Sequence, residues 1–454
     1  MKKLLYISVT FLALQACQIE DNQTPSPEDA YIKYYGELTT YGAKDIELIY
    51  EGGNPSGLVV LGTKLNADVD QEEFYILRAD LNGNLINSST FGLTLPVAFT
   101  FQNDTIADFD VNQDGSLDEI NVDRGNAIAG KIRVIGNGFL VVGSTLYKGQ
   151  TLLTLAVLST DLEVVVFMVR HASLSNSDLD LFGNDIIQLQ DGGILIVGKE
   201  EVARTGGETD FDNYLLKIAD GQVVFERTIG VEGSGEDEEV ISVFEKRNGN
   251  IVLIGSGYSN SRLGENDGEN GQNAYFIELD PNGNPINRRY YGVDSPDNTS
   301  IYDEQVYNAI EVPSGYVIVG TSTTEQNESY GFAMSLNSNG EYLNGASLPG
   351  VSGLETRFYG VTQSLDNDLI LLGDYPLFSS NSIGKGGEAL FMKVDQSIIP
   401  FGDFESNFGL TDGDDEFVDA VTLPDGSIIV AGNIDFGAGA KLVSIVKLND
   451  TGNL

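Results

Sequence analysis

The chain has 454 residues, 41% of them hydrophobic, so it is long enough to bury a large core. Its 68 acidic residues face only 25 basic ones, and the formal net charge of −43 excludes nucleic acid as a partner because phosphates would be repelled. The same charge disfavours docking of a wide surface on an anionic bilayer. A heavily solvated exterior accounts for such a composition, and the alternative is an affinity for divalent cations or basic partners.

The N-terminus has the pattern of an export signal in residues 1–16. Two lysines precede an apolar run, residues 4–14, which is too short to be a permanent membrane-spanning helix. The next residues, LQAC, resemble the lipobox of bacterial lipoproteins, in which the cysteine, here Cys17, is cleaved and acylated. Gln15 is a less usual residue at its lipobox position. The alternative is an ordinary secretory signal with a chance cysteine, although no second cysteine exists to pair with Cys17.

Residues 17–30 are polar, acidic and contain proline, which predicts a flexible tether after the acylated cysteine. Glu20 and Asp21 resemble the acidic export signals of some Gram-negative surface lipoproteins. The expected location is therefore the outer membrane, with the protein anchored by lipid and facing the cell surface or the periplasm.

One short motif then recurs seven times along the chain. Each copy is a continuous apolar run that ends on glycine, and the copies are GLVVLG (57–62), GFLVVG (138–143), GILIVG (193–198), NIVLIG (250–255), GYVIVG (315–320), DLILLG (368–373) and SIIVAG (427–432). Such runs predict strands buried on both faces. The fixed glycine indicates a bend or a close backbone approach that a side chain would block.

Further strands accompany each copy and complete a unit of roughly 60 residues. An alternating strand that ends in Asp-x-x-Gly or Asn-Gly follows most copies, then a short strand often ending in aromatic-Gly, then a strand that leads into the next copy. Four strands per unit are typical of a β-propeller blade.

The two ends of the chain predict how the ring closes. Residues 442–454 supply only the second strand and turn of a unit, and KYYG (33–36) matches the later strand RYYG (289–292). We therefore predict an all-β fold for residues 31–454: a seven-bladed β-propeller of four-stranded antiparallel blades, closed by pairing of N- and C-terminal strands. The repeats resemble the delta-60-like propeller repeats of bacteria, a resemblance that implies a fold and leaves the function open.

The longest interval between copies contains a candidate calcium loop near residues 104–121. Asp110, Asn112, Asp114 and Asp118 alternate around a glycine turn, and Ser116 would add a backbone carbonyl. Oxygen ligands at this spacing suit Ca²⁺, here in a structural role. The alternative is an acidic surface turn.

Four acidic residues stand seventeen positions before a terminal glycine: Asp45, Glu238, Asp303 and Asp415. A shared phase predicts equivalent points on one rim of the ring, where carboxylates could bind cations or a basic ligand. The alternative, which the sequence favours, is that these side chains satisfy nearby backbone N–H groups.

The sequence offers no catalytic residues. Its single histidine, His171, gives no support for a triad or a histidine metal site, and no nucleophile elbow or phosphate loop is present. The sequence predicts a non-enzymatic binding or scaffold protein for an unknown protein or glycan ligand, one form of which is an accessory subunit of an outer-membrane complex. The alternative is a hydrolase or lyase acting on extracellular polysaccharide, since 68 acids guarantee chance carboxylate pairs.

Overall fold

Every regular element of the structure, a computed structural model, is a β-strand. The structure describes residues 30–37, 40–68, 70–92, 126–136, 138–147, 149–170, 179–204, 207–230, 237–258, 272–292, 302–324, 329–349, 356–376, 387–398, 404–408, 414–437 and 440–449. Within these ranges, no helix is long and apolar enough to span a membrane.

The strands form seven antiparallel four-stranded sheets, called blades 1 to 7 here. Blade 1 comprises β2 (Tyr41–Glu51), β3 (Asn54–Asn66), β4 (Gln71–Ala79) and β5 (Leu85–Phe91). Blade 2 comprises β6 (Ala127–Ile135), β7 (Gly138–Tyr147), β8 (Gln150–Ser159) and β9 (Val164–Arg170). Blade 3 comprises β10 (Leu181–Gln188), β11 (Ile194–Ala203), β12 (Thr209–Ala219) and β13 (Gln222–Ile229). Blade 4 comprises β14 (Glu238–Glu245), β15 (Ile251–Tyr258), β16 (Gln272–Leu279) and β17 (Pro285–Tyr291).

The remaining blades repeat this order up to the last one. Blade 5 comprises β18 (Tyr302–Val312), β19 (Gly315–Thr324), β20 (Ser329–Asn337) and β21 (Tyr342–Pro349). Blade 6 comprises β22 (Arg357–Gln363), β23 (Leu369–Pro376), β24 (Gly387–Val394) and β25 (Phe404–Phe408). Blade 7 comprises β26 (Glu416–Thr422), β27 (Ile428–Asp435), β28 (Lys441–Leu448) and, from the other end of the chain, β1 (Tyr31–Tyr35).

The predicted closure by the two chain ends is confirmed. β1 pairs antiparallel with β28, from Tyr31 opposite Lys447 to Tyr35 opposite Val443. The Tyr31 hydroxyl donates to the carbonyl oxygen of Leu81 at 3.2 Å, so β1 also contacts blade 1. The first strands of all neighbouring blades touch, including β2 with β26, and the ring is that of a seven-bladed propeller.

The hydrophobic core consists of seven layers, each between two adjacent blades. The layer between blades 7 and 1, for example, packs Ile429 and Val443 against Val60 and Leu77. Each of the seven repeated runs is the second strand of its blade, and its apolar side chains enter the layers on both sides. Burial on two faces explains why these runs are continuously apolar rather than alternating.

The glycine that ends each run lies against the first strand of its own blade. Gly62 pairs with Ala43, and a Cβ at Gly62 would overlap the carbonyl oxygen of Gly42. A Cβ at Gly373 would overlap the carbonyl oxygen of Arg357 in the same way. The close backbone approach predicted from the sequence is confirmed, and it explains why the run stops on a residue without a side chain.

In blades 2 and 4 the residue after this glycine is a serine that joins the next blade. The Ser144 hydroxyl accepts the backbone N–H of Gly183 at 3.0 Å, and the Ser256 hydroxyl accepts that of Val306 at 2.6 Å. Each bond crosses from one blade to the next and satisfies a buried donor that the sheet ladder does not use.

Candidate functional site

The first strands of the blades surround the axis of the ring, and all seven carry a bulge at the same place. In each strand one extra residue follows the residue that pairs with the terminal glycine, and these extra residues are Lys44, Gly130, Asn184, Ile241, Tyr307, Tyr359 and Val418. A bulge bends its strand and redirects the side chains beside it. The pattern therefore sets the same position in every blade at the same depth of the central channel.

The residues directly after the bulges form what we call the inner layer. They are Asp45, Lys131, Asp185, Ser242, Asn308, Gly360 and Asp419, from blades 1 to 7 in that order. Four of them are charged, and these four come from the adjacent blades 7, 1, 2 and 3. The other three blades contribute small uncharged residues.

Lys131 of blade 2 connects the two carboxylates on one side of the inner layer. Its Nζ lies 2.6 Å from Asp45 Oδ1 and 3.2 Å from Asp419 Oδ2. The carboxyl groups of Asp45 and Asp419 also share a hydrogen bond. A single ammonium group thus joins blades 7, 1 and 2 around the axis.

Arg133, two residues further along the same strand, connects blade 2 to both neighbours. Its Nη1 lies 2.9 Å from Glu47 Oε1 in blade 1, and its Nη2 lies 2.9 Å from Asp185 Oδ1 in blade 3. We call Asp45, Glu47, Lys131, Arg133, Asp185 and Asp419 together the charged cluster.

The carboxylates of the charged cluster also accept backbone hydrogen bonds from the next blade. Asp45 Oδ2 accepts the N–H of Ile132 at 2.7 Å, and Asp185 Oδ2 accepts that of Val243 at 2.9 Å. With only 1% of the Asp45 side chain exposed, these contacts replace the water it would otherwise need.

Burial and pairing shift the titration of the cluster in opposite directions. Burial raises the pKa of Asp419 to about 7, Lys131 acts against this shift and Asp45 adds to it. Burial also acts to raise the pKa of Asp45, but Lys131 and the hydrogen bond from Asp419 outweigh it and hold that pKa below its ordinary value. The two carboxyl groups therefore share one proton, as expected for close carboxylates.

Two cavities lie along the channel and meet at Lys131. The first, of about 600 Å³, is lined by the charged cluster and by residues further along the first strands. The second, of about 450 Å³, lies on the side where the first strands begin, and we call it the mouth cavity. The bulge residues Lys44, Asn184, Tyr307 and Tyr359 line the mouth cavity.

The mouth cavity combines aromatic and polar groups. The rings of Tyr307 and Tyr359, from adjacent blades, are 5.3 Å apart at an angle of 51°. Asn184 Nδ2 donates to Glu239 Oε1 at 3.0 Å, and Lys199 Nζ lies 3.1 Å from Glu239 Oε2. Desolvation of the Lys44 amino group by the surrounding protein lowers its pKa, and the positive charge of Lys131 lowers it further. The nearby carboxylates oppose the shift.

The four acidic residues that the sequence placed on one rim do not occupy equivalent positions. Nineteen positions separate Ala43 from its glycine partner Gly62, against fifteen between Val240 and Gly255, because the first hairpin of blade 1 is longer. A count of seventeen positions back from the terminal glycine therefore reaches the inner layer in blade 1, at Asp45. In blade 4 the same count reaches Glu238, which lies before the inner layer on the first strand.

The other three predicted rim residues lie near the start of their first strands. Glu238 and Asp415 each stand two residues before the partner of the terminal glycine, and both are 1% exposed. In blade 5 the residue at this place is Glu304, so Asp303 is displaced by one. Asp415 Oδ1 accepts the N–H of Asp435 at 2.8 Å, and Asp303 Oδ1 accepts that of Gln272 at 3.0 Å. These two contacts are of the kind expected of residues that satisfy nearby backbone groups.

Several predicted residues lie outside the described part of the chain. They are Cys17, His171 and the candidate calcium ligands Asp110, Asn112, Asp114, Ser116 and Asp118. Among the described residues, no three His, Cys, Asp or Glu side chains are arranged to hold a metal ion.

Sequence reasoning missed Lys131, Arg133, Asp185 and Asp419 as a group. The signal available for them is a charged residue in the middle of a strand whose neighbours are apolar, as in GKIRVI around Lys131. A charge at such a place needs a partner because it is withdrawn from water. Nothing in the pattern names the partner, which in each case belongs to another blade.

No known family model matches the sequence, and no curated protein is similar to it. Solved structures with a similar chain path include a protein of unknown function from Bacteroides caccae, 12% identical over 70% of this chain and 92% of its own, with a TM-score of 0.39. An ulvan lyase is 9% identical over 92% of this chain and 97% of its own, with a TM-score of 0.49. The α-L-arabinofuranosidase of Fusarium graminearum is 9% identical over 92% of this chain and 98% of its own, with a TM-score of 0.41. Such weak likeness gives no argument about function.

Proposed function

We propose that the protein is a lipid-anchored, non-enzymatic binding propeller of the cell envelope that takes its ligand at the mouth cavity. The observation that carries the proposal is the difference between the two cavities. The cations of the charged cluster already bind its carboxylates, whereas the mouth cavity presents two tyrosine rings, amide groups and an exposed lysine. The paired groups of the charged cluster hold the ring together. The Lys44 ammonium, by contrast, has no carboxylate within ion-pair distance among the described residues, and the half-buried Tyr307 and Tyr359 line the cavity, so a ligand can reach them.

The nature of the mouth favours a glycan. Tyrosine rings offer flat apolar faces with a polar edge, which suits the alternating C–H and hydroxyl surface of a sugar. A cavity of about 450 Å³ encloses a small ligand. A protein partner that inserts one loop into the mouth is the other form of the same role, and it includes the accessory subunit of an outer-membrane complex.

Removal of the tyrosine rings tests this function. We expect the double variant Tyr307→Ala, Tyr359→Ala to lose binding to a panel of neutral and acidic oligosaccharides measured by calorimetry, because stacking area is lost. The control Tyr342→Ala removes an exposed ring on blade 5 outside the channel and should bind normally. Binding that survives in the double variant would place the ligand elsewhere and contradict the proposal.

A polysaccharide hydrolase or lyase is a second candidate, and one observation favours it. Asp419 and Asp45 are paired carboxyl groups that share a proton, and the pKa of Asp419, about 7, suits a general acid. Against this, only 10% of the Asp419 side chain and 1% of the Asp45 side chain are exposed, so a substrate has little access to either. Turnover of polysaccharide by the wild type that disappears in Asp419→Asn would establish the enzyme and overturn the binding function.

The lipid anchor on Cys17 and the calcium loop are parts of the proposal, and each has its own test. Labelling of the wild type with radioactive palmitate, and its absence in Cys17→Ser, would support the anchor. Equal labelling of the wild type and Cys17→Ser would contradict it.

Combined replacement of Asp110 and Asp114 by asparagine should lower the melting temperature in calcium and not in chelator, since the ligands would be lost. Equal melting of both proteins in both conditions would discard the calcium loop.

A further inference from the structure

Lys44 differs from the other two lysines that line the mouth cavity. Lys199 is paired with Glu239, and Lys131 is paired with Asp45 and Asp419. No carboxylate in the described part of the chain lies within ion-pair distance of the Lys44 amino group, and the side chain is exposed. It stands at the bulge of β2 and lines the mouth cavity.

The tyrosine pair stands on the far side of the same cavity. Lys44 belongs to blade 1, and Tyr307 belongs to blade 5, three blades away around a ring of seven. Tyr359 of blade 6 lies beside Tyr307, and both residues are half-buried and line the mouth cavity, so each keeps an accessible surface. A ligand in the mouth therefore meets an ammonium group on one side and aromatic faces on the other.

We propose that the mouth cavity binds a sugar carrying a carboxylate, with the carboxylate on Lys44 and the pyranose ring against Tyr307 and Tyr359. This rests on the proposed function and names its ligand class. A uronic acid unit offers both features at once: one anionic group and one C–H face. The bound carboxylate also offsets the repulsion between the Lys44 and Lys131 ammonium groups, which no ligand without charge can do.

The overall charge of the protein restricts the ligand to few charges. A net charge of −43 repels a long acidic polymer, while repulsion of a short one is screened over about 8 Å at physiological salt. The inference therefore predicts tighter binding per site for a uronate trimer than for a long polyuronate.

Calorimetry with trigalacturonate, and with the neutral trimer in which its carboxyl groups are reduced, tests the inference. We expect Lys44→Met to weaken trigalacturonate binding about tenfold or more, because a charge-assisted hydrogen bond contributes at least that much. Lys44→Arg keeps the charge and should bind within about threefold of wild type. Lys393→Met, on β24 and outside the channel, is the matched control and should leave both affinities unchanged.

The outcomes separate this inference from the proposed function. Equal wild-type affinity for the acidic and neutral trimers, or an unchanged affinity in Lys44→Met, overturns the carboxylate assignment while the glycan function stands. If the tyrosine double variant no longer binds the neutral trimer and Lys44→Met has no effect on binding, the carboxylate assignment is likewise overturned and the glycan function stands. Failure of the wild type to bind either trimer overturns this inference, and the proposed function then stands or falls on the wider oligosaccharide panel.

Discussion

The two halves of the inner layer have the same backbone and opposite chemistry. Blades 7, 1, 2 and 3 contribute Asp419, Asp45, Lys131 and Asp185, and blades 4, 5 and 6 contribute Ser242, Asn308 and Gly360. The bulge, the terminal glycine and the four-strand order are identical in both halves. Charged residues in the inner layer are therefore not needed to form a blade, so in the charged half they must serve another purpose.

The charged half includes the blade that is assembled from both ends of the chain. Blade 7 is completed by β1, and Lys131 joins its Asp419 to Asp45 of blade 1 at the axis. The uncharged half consists of blades made from continuous segments. The comparison suggests that the ion pairs fix the alignment of the blades around the closure, while packing alone aligns the rest.

The largest expected effect comes from removing the central cation. Lys131→Met should lower the free energy of unfolding by about 3–5 kcal/mol, because it leaves buried carboxylates without their partner. Lys393→Met removes a lysine whose partner Asp366 is 60% exposed and should cost less than about 1 kcal/mol. Chemical denaturation measures both, and equal small losses would mean that the charged cluster does not hold the ring.

Replacement of the terminal glycine should cost the same in both halves. Gly62→Ala in blade 1 and Gly320→Ala in blade 5 each place a Cβ against a backbone carbonyl, and we expect a loss of about 3 kcal/mol in each. Gly136→Ala, where no atom lies within 4 Å of the added Cβ, should change stability by less than about 0.5 kcal/mol. A large difference between Gly62→Ala and Gly320→Ala, measured by denaturation, would show that the two halves do not share one backbone requirement.

The pH dependence of stability should separate the halves more finely. The pKa of Asp419 is about 7 in the folded protein and near 4 when unfolded, so the folded state holds a proton that the unfolded state has released. Its contribution to stability is complete below about pH 4 and is lost as the pH rises through about 7. Asp419→Asn should therefore reduce the decline in stability between about pH 5 and 7 by about 1 kcal/mol per pH unit.

Asp374 of blade 6 gives the matching measurement in the uncharged half. Burial raises its pKa to about 7, with Arg357 acting against the shift and Glu416 adding to it. Asp374→Asn should also reduce the decline in stability as the pH rises, and the double variant Asp374→Asn, Asp419→Asn should remove the contributions of both carboxyl groups. An unchanged pH profile in Asp419→Asn, with a changed one in Asp374→Asn, would assign the titration to the uncharged half alone.

The smallest expected effect concerns the hydroxyl groups between blades. Ser144→Ala in the charged half and Ser256→Ala in the other each leave a buried N–H without its acceptor, which should cost about 1 kcal/mol. Ser338→Ala on an exposed turn is the control and should be neutral. Thermal denaturation resolves the difference, and a loss confined to one serine would show that the two halves use this bond differently.

The fold was predictable because it is written in repeated local patterns. Seven apolar runs ending on glycine and the match of residues 33–36 to 289–292 were sufficient for the blade number and the closure, and both are confirmed. The reason is physical: burial on two faces requires a continuous apolar run, and each blade needs it separately.

The candidate site was far less predictable because each of its contacts joins different blades. Asp45 was singled out by a count from Gly62 that the longer hairpin of blade 1 makes misleading. Lys131 and Asp419 are 288 residues apart in the chain, and no local pattern relates them. The seven bulges that set the depth of these side chains depend on pairing between strands, which the sequence does not display.

The pairing of β1 with β28 has a consequence for how the molecule folds. Among the described strands β1 is the first in the chain and β28, its ladder partner, is the last. Until these two strands meet, the ring is open and has two bare edges, each able to pair with a foreign strand. Closure therefore depends on a contact between residues as distant in sequence as Tyr31 and Lys447, and loss of β28 would leave β1 without its partner strand.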